Sequence, residues 1–170
     1  MSRVHTIDLA RLGLAPGQGR RLDLEIGADS LEIGGSEYRF DPGGVPARID
    51  LSRTAAGYAL RLRYAGGLAG PCVRCLATAE VAVEVDAREV DQPGTEDEEL
   101  TSPYVENGDL DLSAWAHDAL VLAVPQQVLC RADCAGLCAV CGESLNDAAE
   151  GVHDHPSAPD PRWAKLRDLQ

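Results

Sequence analysis

Six cysteines and two histidines carry most of the chemistry this sequence offers. "LCRADCAGLCAVCGESLN", residues 129–146, holds Cys130, Cys134, Cys138 and Cys141. "GPCVRCLA" adds Cys72 and Cys75 far upstream, and "GVHDHP" places His153 and His155 close together. Cys72/Cys75 and Cys138/Cys141 are each separated by two residues. That spacing lets one tight turn aim both thiolates at a single ion, at about 2.3 Å each. Gly142 follows the second pair, where such a turn favours positive φ, and Gly70 and Pro71 precede the first, where they would bend the chain into it. Cys130 and Cys134 form a third, looser pair.

Tetrahedral zinc takes four ligands from Cys and His, so these eight residues suffice for two closed sites. Two partitions fit. Cys130, Cys134, Cys138 and Cys141 can surround one ion, with a short loop to close. Alternatively Cys72/Cys75 join Cys130/Cys134, and Cys138/Cys141 join His153/His155. The second is favoured because it leaves no pair without partners and staples the two halves of the chain together. A structural zinc contributes on the order of 10–16 kcal/mol in small zinc-finger peptides, enough to decide whether a lobe with few aromatics folds.

Other uses of the thiols fit less well. A thioredoxin-like redox pair at Cys72/Cys75 expects a helix after a βαβ strand, whereas both flanks here read as strands. Four thiolates from Cys130 to Cys141 would also suffice for an iron–sulfur cluster. The chain shows no signal-peptide pattern and no run near the ~18 apolar residues of a membrane span. A cytoplasmic location is expected, where thiols stay reduced and a disulfide framework is disfavoured. Arg74, between the thiols of the first pair, reads as solvated, as does His5. His117 and Asp118 are adjacent on one expected helix and point in different directions. No nucleophile elbow, P-loop or dinucleotide fingerprint is present, so the expectation is not an enzyme, with no small-molecule substrate.

The elements that must position these groups fall in two classes. "RRLDLEIG" alternates Leu22, Leu24 and Ile26 with Asp23 and Glu25. "SLEIGGSEYRFD" reads as two short strands about Gly34 and Gly35. "ARIDLSRTAAGYALRLRYAGGL" supplies two more strands, and "AEVAVEVDAREV" another through Val81, Val83 and Val85. After an acidic, turn-rich stretch, Leu112, Trp115, Ala116, Ala119, Leu120 and Ala123 fall at helical spacing, with Asp111 or Ser113 as cap and Pro125 as stop. The tail "DPRWAKLRDL" reads as a short helix with Asp160 as N-cap, Pro161 in its first turn, and Trp163, Leu166 and Leu169 facing inward.

The fold class expected is α+β: an antiparallel β-meander domain with a C-terminal helix and a small Cys/His metal-binding lobe. Residues 1–90 form the β domain, 91–110 an acidic flexible loop, and 111–170 the helix and Cys-rich lobe packed on the sheet. The 170 residues are 45% hydrophobic and 4% aromatic, so the core is mostly aliphatic. Net charge is −13 and unevenly spread: residues 65–128 carry two arginines against thirteen acids. That field disfavours non-specific binding of nucleic acid through charge and suits a basic partner.

"CVRCL" in a strand-rich context, the acidic loop, "DLSAWAHDALVLAVPQQVLCRADCAGLCAVCGESLN" and the closing "DPRWAKLRDL" together resemble the YceD family, the large ribosomal RNA subunit accumulation proteins. The resemblance spans about residues 45–170. It implies a role in synthesis, processing or stability of large-subunit (23S) ribosomal RNA in bacteria and plastids, and supplies no chemistry. Many relatives carry two cysteines near the position of "HDH"; this chain offers His153 and His155 instead. Some relatives lose most of "GLCAVCG" yet keep the upstream pair, which hints that Cys72/Cys75 work with the Cys130/Cys134 region. Two modes of action follow. In the first, the acidic stretch, with Glu96, Asp97, Glu98 and Glu99, binds a basic ribosomal protein or assembly factor. In the second, the metal lobe binds ribosomal RNA directly, with Arg131, Arg162, Lys165 and Arg167 on phosphates and Trp163 available for stacking. Trp163 also suits a core position. Neither mode involves a membrane.

Overall fold

The computed structural model describes residues 4–27, 30–41, 44–149 and 151–155. In chain order it contains β1 (Thr6–Asp8), β2 (Gly19–Gly27), β3 (Leu31–Ile33), β4 (Ser36–Asp41), β5 (Gly44–Arg53), β6 (Tyr58–Pro71), β7 (Thr78–Asp91), β8 (Val105–Glu106), β9 (Asp109–Asp111) and α1 (Leu112–Ala123). Short 3-10 turns lie at Ala10–Leu12 and Glu98–Leu100. The α+β class expected from the periodicity is what the chain forms. The expected C-terminal helix over "DPRWAKLRDL" lies outside the described residues.

β6 organises the main sheet. Along one edge it pairs with β7 over its full length, Tyr58 opposite Asp91 and Pro71 opposite Thr78. Along its other edge β5 takes the first half and β4 the second. β2 extends the sheet beyond β5, and β3 extends it beyond β4. All these pairings are antiparallel, and alternation sorts the side chains cleanly. Ile49, Leu51, Leu60, Leu62, Val83 and Val85 are buried on the inner face, while Asp23, Arg48 and Asp86 face outward and are exposed. Gly34 and Gly35, both at positive φ, form the two-residue turn between β3 and β4 that the sequence predicts. In β6, glycine is required by close approach. A Cβ on Gly70 would lie 2.3 Å from the Tyr38 ring, and one on Gly66 2.5 Å from Phe40. Gly70 and Pro71 therefore do not bend the chain; both are paired within β6.

α1 closes the inner face. Asp111 caps it, accepting from the Ala114 N–H at 2.9 Å, and Leu112, Trp115, Ala116, Ala119 and Leu120 are buried against the sheet. The Tyr64 hydroxyl donates to the Ala116 carbonyl, tying helix to sheet. His5, which the sequence leaves solvated, works at the same end: its carbonyl accepts from Leu112 N–H at 3.0 Å, and its ring meets the Ser113 hydroxyl at 2.9 Å.

The acidic stretch read as a loop contains more structure than its composition suggests. β7 runs to Asp91, and Gln92 N–H donates to the Leu100 carbonyl at 2.8 Å. β8 and β9 form a hairpin, and β9 pairs with β1 in a small second sheet. Asn107 and Gly108, both at positive φ, make its turn. Asn-Gly is a strong hairpin signal, hidden here by the surrounding acids. Tyr104 stacks on Trp115 at 6.3 Å between centroids and donates to Asp118 at 3.0 Å. That contact engages Asp118 with the loop rather than with exposed His117.

Candidate metal centres

Two turns of the same design present the two Cys-x2-Cys pairs. In the first, Cys72 N–H donates to the Ala77 carbonyl at 2.7 Å and Leu76 N–H returns to the Cys72 carbonyl at 2.9 Å. In the second, Cys138 N–H donates to the Glu143 carbonyl at 2.7 Å and Gly142 N–H returns to the Cys138 carbonyl at 2.9 Å. The offsets are identical. The residue after the second cysteine is left-handed in both, Leu76 at φ 61° and Gly142 at φ 76°.

The electrostatics match as well. Burial alone would push the Cys72 thiol up, but backbone N–H groups of Arg74, Cys130 and Cys75 aimed at its sulfur together bring it down to about 6. Backbone N–H groups of Cys141 and Val140 likewise lower the Cys138 thiol. In each turn the donors two and three residues on point at the first sulfur, which stabilises a thiolate.

The tertiary fold then chooses partners for each turn. Cys72 and Cys75 meet Cys130 and Cys134, and Cys138 and Cys141 meet His153 and His155; within each group the ligand atoms all lie within 4.8 Å of one another. The more local partition, with Cys130, Cys134, Cys138 and Cys141 around one ion, is not the arrangement formed. In the first group Cys72 Sγ lies 3.8 Å from Cys134 Sγ, and Cys75 Sγ 3.5 Å from Cys130 Sγ. A tetrahedron with zinc–sulfur bonds of about 2.3 Å has edges of about 3.8 Å, whereas a disulfide needs about 2.05 Å. All six cysteines are free thiols. The four crowded sulfurs cannot all carry charge unaided: the Cys130 thiol is pushed up to about 12, first by the neighbouring Cys75 sulfur and then by burial. A cation at their centre removes that conflict.

The second group fits a cation through different atoms. Cys141 Sγ lies 3.4 Å from His153 Nδ1, and His155 Nε2 is buried with no hydrogen-bond partner, as an atom reserved for a metal would be. The settings of the groups differ. Cys72, Cys75 and Cys134 belong to the main hydrophobic core. In the second group Cys141 is exposed and both histidines are half-buried.

Arg74 is not simply solvated: it donates to the Cys134 carbonyl at 3.0 Å and to Gln127 at 3.4 Å. Val73 N–H adds a bond to the Val128 carbonyl at 3.0 Å. Arg131 is turned toward its own lobe, with Asp133 at 3.4 Å, Asp147 at 3.5 Å and the Asn146 carbonyl as acceptor. Arg162, Trp163, Lys165 and Arg167 lie outside the described residues. Glu96, Asp97, Glu98 and Glu99 are all exposed around the 3-10 turn, and Asp97 caps it by accepting from Glu99 N–H at 3.0 Å.

The model of the large ribosomal RNA subunit accumulation protein YceD matches residues 60–170, from the middle of the sheet through both cysteine turns. The chain belongs to the YceD family. The chain is also similar to uncharacterized proteins of Mycobacterium tuberculosis and Mycobacterium bovis, each 33% identical over 173 residues and covering 96% of this chain and 80% of the relative. A third, from Mycobacterium leprae, is 32% identical over 171 residues, covering 95% and 76%. No solved structure matches this YceD chain. Among the described residues, no helix is long and apolar enough to cross a membrane.

Proposed function

We propose that this YceD protein is a non-enzymatic cytoplasmic factor in the synthesis, processing or stability of large-subunit ribosomal RNA, held in shape by two structural zinc ions. The observation that carries the zinc reading is the convergence of all eight Cys and His ligands into two four-ligand groups. A set of four cysteines, and a set of two cysteines with two histidines, leave no open position and suit structural zinc. That ion needs no redox partner and accepts tetrahedral geometry without penalty. Cys72, Cys75, Cys130 and Cys134 would hold one ion, and Cys138, Cys141, His153 and His155 the other. The protein then acts by binding. Its acidic turn at Glu96, Asp97, Glu98 and Glu99 fits a basic ribosomal protein or assembly factor.

Metal analysis of reduced protein, purified without chelators, tests the scheme; two zinc ions per chain are expected, and one or none would contradict it. The cellular role is tested by the ratio of large- to small-subunit ribosomal RNA in cells lacking the protein. A lower ratio restored by the intact chain supports the reading, and an unchanged ratio removes it. Co-purification with a basic partner should weaken with salt and be lost when the four acids are replaced by their amides. A second reading is direct contact with ribosomal RNA, and arginines on the open face of the sheet favour it.

A further inference from the structure

The outward face of the main sheet carries a basic band in an otherwise acidic chain. Strand register sets Arg21, Asp50, Arg61 and Arg88 in one row across β2, β5, β6 and β7. The neighbouring row is Asp23, Arg48, Arg63 and Asp86. Five arginines stand against three aspartates, an excess of two positive charges within a chain of net charge −13.

Internal pairing explains only part of this. Arg21 meets Asp50 at 2.6 Å, Arg48 meets Asp23 at 2.8 Å, Arg61 meets Asp86 at 2.7 Å, and Arg63 also contacts Asp50. Yet Arg48 stands directly opposite Arg63, and Arg61 directly opposite Arg88. Like charges in opposed positions destabilise a strand pair. An acid at either position would have served the sheet better. Arg88 has no ion-pair partner among the described residues, and Arg63 Nε is buried without a hydrogen bond. The aspartates hold the paired guanidinium groups against the sheet, so little side-chain freedom remains to be lost on binding. Beside Arg48 and Arg63, a shallow trough of about 740 Å³ runs over Pro46 and Ala65 to Glu25 and Glu84, so the basic excess is confined to the two arginine rows.

We propose that this band is a binding surface for the phosphodiester backbone of ribosomal RNA, centred on the opposed pairs Arg48/Arg63 and Arg61/Arg88. This rests on the ribosomal RNA reading of the family and adds to it a place and a chemistry of contact. The charge excess is complementary to phosphate, and guanidinium groups recognise phosphate oxygens in pairs. Tyr38, Phe40 and Tyr64 are buried on the opposite face, so no aromatic ring on the band is available to stack a base. Binding is therefore to backbone and shape, with little preference for base sequence.

The test uses full-length, zinc-loaded protein and a structured fragment of large-subunit ribosomal RNA, titrated by fluorescence anisotropy at several salt concentrations. The double variant R48Q/R88Q should weaken binding roughly tenfold at ~0.1 M salt and reduce the salt slope by about one to two. Arg88→Gln removes a like-charge opposition and breaks no ion pair among the described residues, so the melting temperature of that single variant should hold or rise, and a merely structural role for Arg88 would lower it. Arg48→Gln also gives up the exposed bond to Asp23, so the double variant is read for binding alone. Equal affinity of variant and wild type overturns the proposal, as does the absence of RNA binding by the wild type. Polyglutamate bound in an Arg48- and Arg88-dependent way, with RNA not bound, would assign the band to an acidic protein and equally overturn it. Zinc content and cellular rRNA ratio are read separately, so these failures leave the structural and cellular readings to their own tests.

Discussion

At the scale of single residues, the two cysteine turns make a natural comparison. They share the same two backbone hydrogen bonds, but the left-handed position after the second cysteine is Gly142 in one and exposed Leu76 in the other. A left-handed conformation costs an L-residue roughly 1–2 kcal/mol, and glycine's added freedom in the unfolded chain returns about 0.5–1 of that. Leu76→Gly should therefore raise unfolding stability by up to about 1 kcal/mol, while Gly142→Ala should lower it, both read by urea denaturation at saturating zinc. Ligand substitutions should separate the two groups. Cys134→Ser and Cys141→Ser are each expected to cost one zinc by metal analysis. Cys134 sits in the main core, so its loss should lower the melting temperature far more than loss of exposed Cys141; equal drops would contradict the ranking. Spacing alone made each two-residue pair legible. The clasp by Arg74 was not, because its acceptor lies 60 residues away.

At the scale of elements, α1 depends on two tyrosines. Tyr64 reaches it from β6, and Tyr104 reaches it from the acidic segment. Burial pushes the Tyr64 hydroxyl well up, and burial followed by nearby Asp118 pushes Tyr104 up to about 12. Both raised values favour the neutral phenol in the folded state, against about 10 in the unfolded chain. Their contribution is thus complete below pH ~10 and is lost as pH rises from there through the folded values. The urea midpoint of the wild type should fall steeply between about pH 10 and 12, and the decline should flatten in Tyr64→Phe/Tyr104→Phe. An identical decline would show that other groups govern alkaline unfolding. The helix itself was legible from its apolar spacing, its Asp111 cap and Pro125 beyond its end. The β8–β9 hairpin was concealed by acidic composition, although Asn107-Gly108 announces its turn. It forms because β1 offers an edge to β9, and that edge comes from the other end of the chain.

At the scale of the whole molecule, the sheet and the Cys-rich lobe draw on different sources of order. From Val124 to His155 the described residues hold no helix or strand beyond one isolated bridge between Leu137 and Ser144. Chelation under reducing conditions should leave the β-sheet signal in circular dichroism largely intact, while amides after Pro125 lose hydrogen-exchange protection. Full protection of that segment in metal-free protein would contradict a structural role for the ions. The sequence by itself determined the main-sheet strands β2 to β7, the helix, the turn glycines and the eight candidate ligands, because alternation, capping and two-residue spacing are local properties. Only the tertiary structure decided which thiols share a centre. Loop-closure cost grows slowly, by about 0.6 kcal/mol for each doubling of length, so nearness in sequence gives the local four-cysteine set little advantage. Packing of α1 against the sheet returns the chain to β6 and β7, and Cys72 and Cys134, 62 residues apart, meet in the core.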